Sequence, residues 1–109
     1  MLRAGWHAIM EIEVGEMPDN LKEIAKKAAE NAGMEILGEI DYKFSPKGET
    51  IILGIKESHI SFHTWPEYNY IACDIFTCGS RKSLNEAMIS ILKSLDPKHV
   101  YVKILERGL

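Results

Sequence analysis

The sequence predicts an α+β fold, a two-layer sandwich in which one antiparallel sheet carries two helices on a single face. Three observations lead there. Apolar residues recur at period two in several segments of strand length. Two other segments repeat their apolar residues at helical spacing, each with one apolar stripe only. Neighbouring strands are joined by short stretches of turn residues, which suit hairpins rather than the long crossovers of a parallel sheet.

Trp6, Ala8, Met10, Ile12 and Val14 alternate with His7, Ile9, Glu11 and Glu13, giving a strand with one strongly apolar face. Gly15 to Pro18 ends it. Asn20 and Glu23 have the form of a capping box, and Leu21, Ile24, Ala25, Ala28 and Ala32 then follow helical spacing. Gly33 suits the C′ position that stops this helix. Met34, Ile36, Gly38, Ile40, Tyr42 and Phe44 form one side of the next strand, with Glu35, Leu37, Glu39, Asp41 and Lys43, mostly charged, on the other, facing solvent. Ser45 to Gly48 is a turn. Ile51 to Ile55 reads as a buried strand. In residues 59–65, Ile60, Phe62 and Thr64 share one face and His59, Ser61, His63 and Trp65 the other. Pro66 to Asn69 makes the hairpin connection, Asn69 taking a left-handed conformation at low cost, and Tyr70 to Cys78 is the return strand. Ser83 and Glu86 form a second capping box before Leu84, Ala87, Met88, Ile91, Leu92 and Leu95, and Asp96-Pro97 closes that helix. His99 to Leu105 is the last strand, so the order is β-α-β-β-β-β-α-β.

At 109 residues, 46% hydrophobic and 27% charged, the chain is expected to be one domain, residues 1–109, able to build a core without staples. A net charge of −3 argues against a nucleic-acid partner, since such modules carry excess basic charge. No apolar run approaches the ~20 residues of a membrane span, and the N-terminal segment has no signal-peptide pattern, so a cytoplasmic location is expected. Cys73 and Cys78 are too few for a disulfide framework and, five apart on a strand, would face opposite ways; they are expected to be thiols. Helices on one sheet face leave the other uncovered, and a second copy is the natural cover for so short a chain.

Residues 57–79 hold the chemistry-bearing side chains: His59, His63, Trp65, Glu67, Cys73, Asp74 and Cys78. His59 and His63 share a face, but four strand residues span about 13 Å, too far for one ion with ~2 Å bonds, and no metal is expected. Cys78 with a histidine base is possible in kind, although no spacing demands it. A lone cysteine is more often a small buried hydrophobe.

The run Glu57-Ser58-His59-Ile60-Ser61-Phe62-His63-Thr64-Trp65-Pro66-Glu67-Tyr68 resembles the central motif of the small prokaryotic S-adenosylmethionine decarboxylase proenzymes. Asp74-Ile75-Phe76-Thr77-Cys78-Gly79 resembles that family's second motif, and Phe44-Ser45-Pro46-Lys47-Gly48 a third segment, with gapless spacing between the three. The resemblance implies self-cleavage between Glu57 and Ser58, giving chains 1–57 and 58–109. The Ser58 hydroxyl attacks the preceding carbonyl; elimination and hydrolysis then leave a pyruvoyl group at the new N-terminus. That group replaces pyridoxal phosphate as the electron sink and forms a Schiff base with the substrate amine. By position, His63 is the base for the Ser58 Cα proton and Cys78 the acid that reprotonates the substrate carbon. Thr50 falls where the family has a processing serine; it keeps the hydroxyl but adds a rotamer-restricting methyl. Phe44 and Trp65 match residues that sandwich adenine and Glu67 one that holds the ribose hydroxyls, with core packing as the rival role for the two aromatics. His7 and His59 are left as structural or supporting residues. The implied product is decarboxylated S-adenosylmethionine, the aminopropyl donor of spermidine and polyamine synthesis, made by a homodimer. Two alternatives stay open: an arginine or ornithine decarboxylase of the same chemistry, and an unprocessed regulatory subunit. Because Ser58 and His63 differ in strand parity, a turn or kink is expected near the Glu57–Ser58 bond.

Overall fold

The first alternating segment becomes β1 (Arg3–Glu13), with Ala8, Met10 and Ile12 buried. The computed structural model describes residues 1–56 and 58–109. After β1 come α1 (Leu21–Asn31), β2 (Glu35–Lys43), β3 (Glu49–Lys56), β4 (Ser58–Trp65), a 3-10 turn at Pro66–Tyr68, β5 (Tyr70–Thr77), α2 (Arg81–Leu95) and β6 (His99–Gly108). The six strands form one sheet in the order β2-β3-β4-β5-β1-β6, each neighbouring pair antiparallel. The α+β sandwich is therefore as expected.

Register explains where the core sits. Leu53, Ile60, Ile75 and Ala8 stand directly opposite one another across β3, β4, β5 and β1, and all are fully buried. On that face α1 packs Leu21, Ile24, Ala25 and Ala28, and α2 packs Leu84, Ala87 and Ile91. The opposite face, with His7, Ile9, Ile52, Ser61, His63 and Phe76, has no covering element among the described residues. No helix is long and apolar enough to cross a membrane.

Three local expectations need correction. Asn20 is the N-cap of α1, but its side chain makes no capping bond, so the first capping box does not form. α2 starts earlier than expected: Ser80 is its N-cap and accepts from the Ser83 N–H at 3.0 Å. The Ser83 hydroxyl is used elsewhere, donating to the Ala32 carbonyl at 2.8 Å and tying α2 to the end of α1. The third correction concerns β2. A bulge between Ile36 and Gly38 flips the alternation. Ile36 stays on the helix side opposite Ile55, while Ile40 and Tyr42 turn to the uncovered face. Glu39 and Asp41 thereby reach the helix side, where Glu39 meets Lys26 at 2.6 Å and Lys22 at 3.4 Å.

The C-terminal stops form as the residue types dictate. Gly33 has φ of 71°; its N–H donates to Glu30 and that of Met34 to Ala29, the paired bonds of a Schellman motif. Asp96 ends α2 in the left-handed region.

The contrast between the helix starts is testable. Ser80→Ala removes a formed cap and should cost about 1 kcal/mol. Asn20→Ala removes no side-chain cap bond and should cost clearly less in the same urea titration.

Candidate active site

The residues picked out by sequence fall into two groups at opposite ends of β4. At one end, Ser58 opens the strand, paired with Ile55 of β3. β3 ends at Lys56 and β4 begins at Ser58; the turn expected at the Glu57–Ser58 bond falls on Glu57, which lies outside the described residues. The Ser58 hydroxyl accepts from the Cys78 backbone N–H at 3.2 Å and stands 3.8 Å from its sulfur. Cys78 lies just beyond β5 and is exposed, whereas Cys73 is buried in the core, and no disulfide joins them. Burial pushes the Cys73 thiol well above its usual pKa, leaving it unreactive. Gly5 of β1 makes the position of Cys78 possible. A Cβ there would lie 2.3 Å from the Thr77 carbonyl oxygen and 3.1 Å from the Cys78 Cα, both backbone atoms.

At the other end, Thr50 and His63 are direct cross-strand partners, with Thr50 Oγ1 and His63 Nδ1 hydrogen-bonded at 3.0 Å. They line an open cavity of about 390 Å³ together with Phe44, Trp65 and Glu67. Five of the predicted residues thus share one cavity. Phe44 and Trp65 are 51% and 41% exposed, so core packing is not their role. Tyr70 stacks on Trp65 with ring centres 5.1 Å apart, which leaves one indole face for a ligand. Glu67 is carried by the 3-10 turn that follows β4, and Asn69 closes that turn with φ of 51°.

One expected relation fails within a single chain. Ser58 and His63 sit on one continuous strand, five residues and therefore about 16 Å apart. That distance is fixed by the ladders, which tie β4 to β3 over Ser58–His63 and to β5 over His59–Trp65.

A third group was not legible as a unit. His7 and His59 stand opposite Phe76 from its two sides, and Asp74 lies two residues along the same strand. Asp74 Oδ2 accepts from His7 Nε2 at 2.8 Å and from His59 Nε2 at 3.3 Å, while Ser61 donates to Oδ1. Burial works to raise the Asp74 pKa, but the bonds from Ser61, His7 and His59 outweigh it and hold the carboxyl below its usual value. Only the strand register, which pairs residues far apart in sequence, makes this cluster visible.

A family model described as S-adenosylmethionine decarboxylase matches residues 10–108. The chain belongs to this family. Over 90 residues it is 41% identical to an S-adenosylmethionine decarboxylase proenzyme of Persephonella marina, covering 83% of this chain and 68% of the relative. The proenzyme of the same name from Pyrococcus furiosus is 37% identical over 110 residues, covering 96% of this chain and 79% of the relative. A crystal structure of the adenosylmethionine decarboxylase from Aquifex aeolicus superposes with a TM-score of 0.91 at 27% identity, covering 100% of this chain and 94% of that one. The resemblance and the fold class read from sequence both stand.

Within this family chain one acid beside the aromatic cavity is set apart. Burial first, then a hydrogen bond and repulsion from Asp41, push the Glu49 carboxyl up to about 7. A raised folded-state pKa contributes stability that is complete below the ordinary carboxylate range and is lost as pH rises through about 7. Glu49→Gln should therefore flatten the fall in melting temperature between about pH 5 and pH 8. A profile unchanged by the substitution would show that Glu49 titrates as an ordinary carboxyl.

Proposed function

We propose that this chain is a pyruvoyl-dependent S-adenosylmethionine decarboxylase that cleaves itself between Glu57 and Ser58 and works as a homodimer, each site built from two copies. The observation that carries this reading is the division of the site residues: Ser58 and Cys78 at one end of β4, and His63, Thr50, Phe44, Trp65 and Glu67 at the other. Two sheets stacked about 10 Å apart through their uncovered faces, helices outermost, bury Ile9, Ile52 and Phe76. A two-fold axis crossing β4 midway between Ser58 and His63 then sets the Ser58 end of one copy's β4 opposite the His63 end of the other's, and Ser58, as the first residue of its strand, has to turn toward that partner. The same operation makes two such sites.

In processing, the Ser58 hydroxyl attacks the Glu57 carbonyl carbon and the amide becomes an ester. The partner copy's His63, oriented by Thr50, takes the Ser58 Cα proton; the ester carboxylate leaves with residue 57. Hydrolysis then releases ammonia and leaves the pyruvoyl group at residue 58. The fit is supported by the position of Ser58 at the head of β4 beside a thiol. The pyruvoyl group supplies the electron sink for the carbon that loses CO₂, with no need of pyridoxal phosphate. Cys78, 3.8 Å from the Ser58 hydroxyl, is placed to return a proton to that carbon. Phe44 and the open face of Trp65 take the adenine, and Glu67 accepts from the ribose hydroxyls. Chains 1–57 and 58–109 remain one domain, and the decarboxylated product serves as aminopropyl donor for polyamine synthesis. Two thiols left unbridged suit a cytoplasmic enzyme.

Arginine or ornithine as substrate would give the paired aromatics Phe44 and Trp65 no planar base to hold, so the nucleoside reading is favoured. CO₂ release from carboxyl-labelled S-adenosylmethionine, arginine and ornithine in parallel decides between them. Trp65→Ala should raise KM for S-adenosylmethionine about 5- to 100-fold, since stacking on a base contributes ~1–3 kcal/mol. An unchanged KM would remove Trp65 from the site.

The shared site has a sharper test. Ser58→Ala and His63→Ala chains should each stay uncut in isolation on intact mass spectrometry. Co-expressed, they should form mixed dimers in which one of two sites is whole, and the His63→Ala chain should be cleaved. Failure of the mixture to cleave, with mixed dimers present, would overturn the shared site. A chain that stays intact under every condition would instead support the regulatory-subunit reading.

A further inference from the structure

One cluster of ligating side chains has no part in the chemistry assigned above. His7 on β1, His59 on β4 and Asp74 on β5 bring one ligand atom each to the same point of the uncovered face, all within 4.8 Å of one another. From this convergence we propose that His7, His59 and Asp74 form a binding site for a divalent transition metal ion of the zinc type.

The donor set carries the choice of ion. Two imidazole nitrogens and one carboxylate oxygen suit zinc or cobalt, whereas magnesium and calcium take oxygen ligands. Two of the three ligand spacings are close to what such an ion needs, and the His7–His59 pair, within 4.8 Å, has to settle around it. Ligands bonded at ~2.0–2.1 Å to a tetrahedral centre stand roughly 3.3–3.4 Å apart. Nε2 of His59 is already 3.3 Å from Asp74 Oδ2, and Nε2 of His7, at 2.8 Å, must withdraw by only a few tenths of an ångström. Ser61 holds Oδ1 of the same carboxylate, which leaves Oδ2 to the ion and fixes its direction, the usual task of an outer hydrogen bond at a metal site. All three ligands stand on laddered strands, so the site is held by the sheet and not by loops. Three protein ligands leave a fourth position for one bound water, which the proposed second copy would enclose.

The proton balance is simple. A neutral His7 or His59 that now donates from Nε2 gives that nitrogen to the metal and carries its one proton on Nδ1. No net proton is released from a neutral ring, and one is released from each ring that starts protonated.

The test uses the full chain with Zn²⁺ and with Co²⁺ as its spectroscopic substitute. Titration should show one ion per chain, and the Co²⁺ form should give the intense visible absorption of a four-coordinate site. His7→Ala and His59→Ala should each weaken binding at least tenfold; Ser61→Ala should weaken it about 10- to 100-fold. His99→Ala, at the exposed pairing with Glu13, should leave binding unchanged. Should the ligand variants fail to fold, ring-nitrogen NMR of the wild-type chain decides, since there are only four histidines to assign. Zn²⁺ should shift the Nε2 signals of His7 and His59 together. Shifts at His63 or His99 alone, an octahedral Co²⁺ spectrum, or affinity indifferent to His7 and His59 would overturn the site.

Discussion

The ladder bonds of β4 govern everything built around them. β4 is paired to β3 on one side and to β5 on the other, so its residues cannot approach one another along the strand. Ser58 and His63 are thereby held apart by the same hydrogen bonds that make the sheet. The strand acts as a spacer that presents one half-site at each end. The proposed shared site answers this by laying a second sheet against the first. This is why the uncovered face matters more than any pocket within one chain.

The two sheet faces follow from a single-residue alternation with different consequences on each side. Helix-side positions of β1, β3, β4 and β5 are mostly apolar and buried, with Thr64 and Thr77 as buried polar exceptions. Uncovered-face positions mix histidine, serine, aspartate and threonine with apolar neighbours, an arrangement that burial against another polar-apolar surface can satisfy. The bulge in β2 adds Ile40 and Tyr42 to that face and moves Glu39 and Asp41 away from it. At the strand ends, single-residue details set the geometry: the absent side chain of Gly5 lets Cys78 close on Ser58, and the hydroxyl of Thr50 is bonded to the His63 ring.

Much of this was readable from residues alone. Period-two and helical spacing located every element, because each has one buried face and the core selects for it. The alternation of His59, Ser61, His63 and Trp65 against Ile60, Phe62 and Thr64 assigned β4 its faces correctly. Spacing failed where structure departs from a strict period: the extra residue at the Ile36–Gly38 bulge reverses the β2 faces, and no composition signal marks it. Caps were misread because Ser80 and Ser83 are both capable, and only the tie of Ser83 to Ala32 decides between them. The His7–His59–Asp74 cluster was hidden for a different reason. Its members lie on β1, β4 and β5, and pairing between distant strands is set by the fold as a whole.

The place of β1 in the sheet has a consequence for the chain's integrity. β1, from the start of the sequence, is threaded between β5 and β6, which come from its second half. A break between residues 57 and 58 would assign β1, β2 and β3 to one piece and β4, β5 and β6 to the other. The pieces would be interlocked like the fingers of two hands: β1 held on both edges by the second piece, β3 bonded to β4 across the cut. Neither piece could leave without drawing a strand out of the middle of the sheet and exposing the helix-side core. A nicked chain of this topology keeps its shape without any covalent link, so a backbone bond can be spent on making a reactive end.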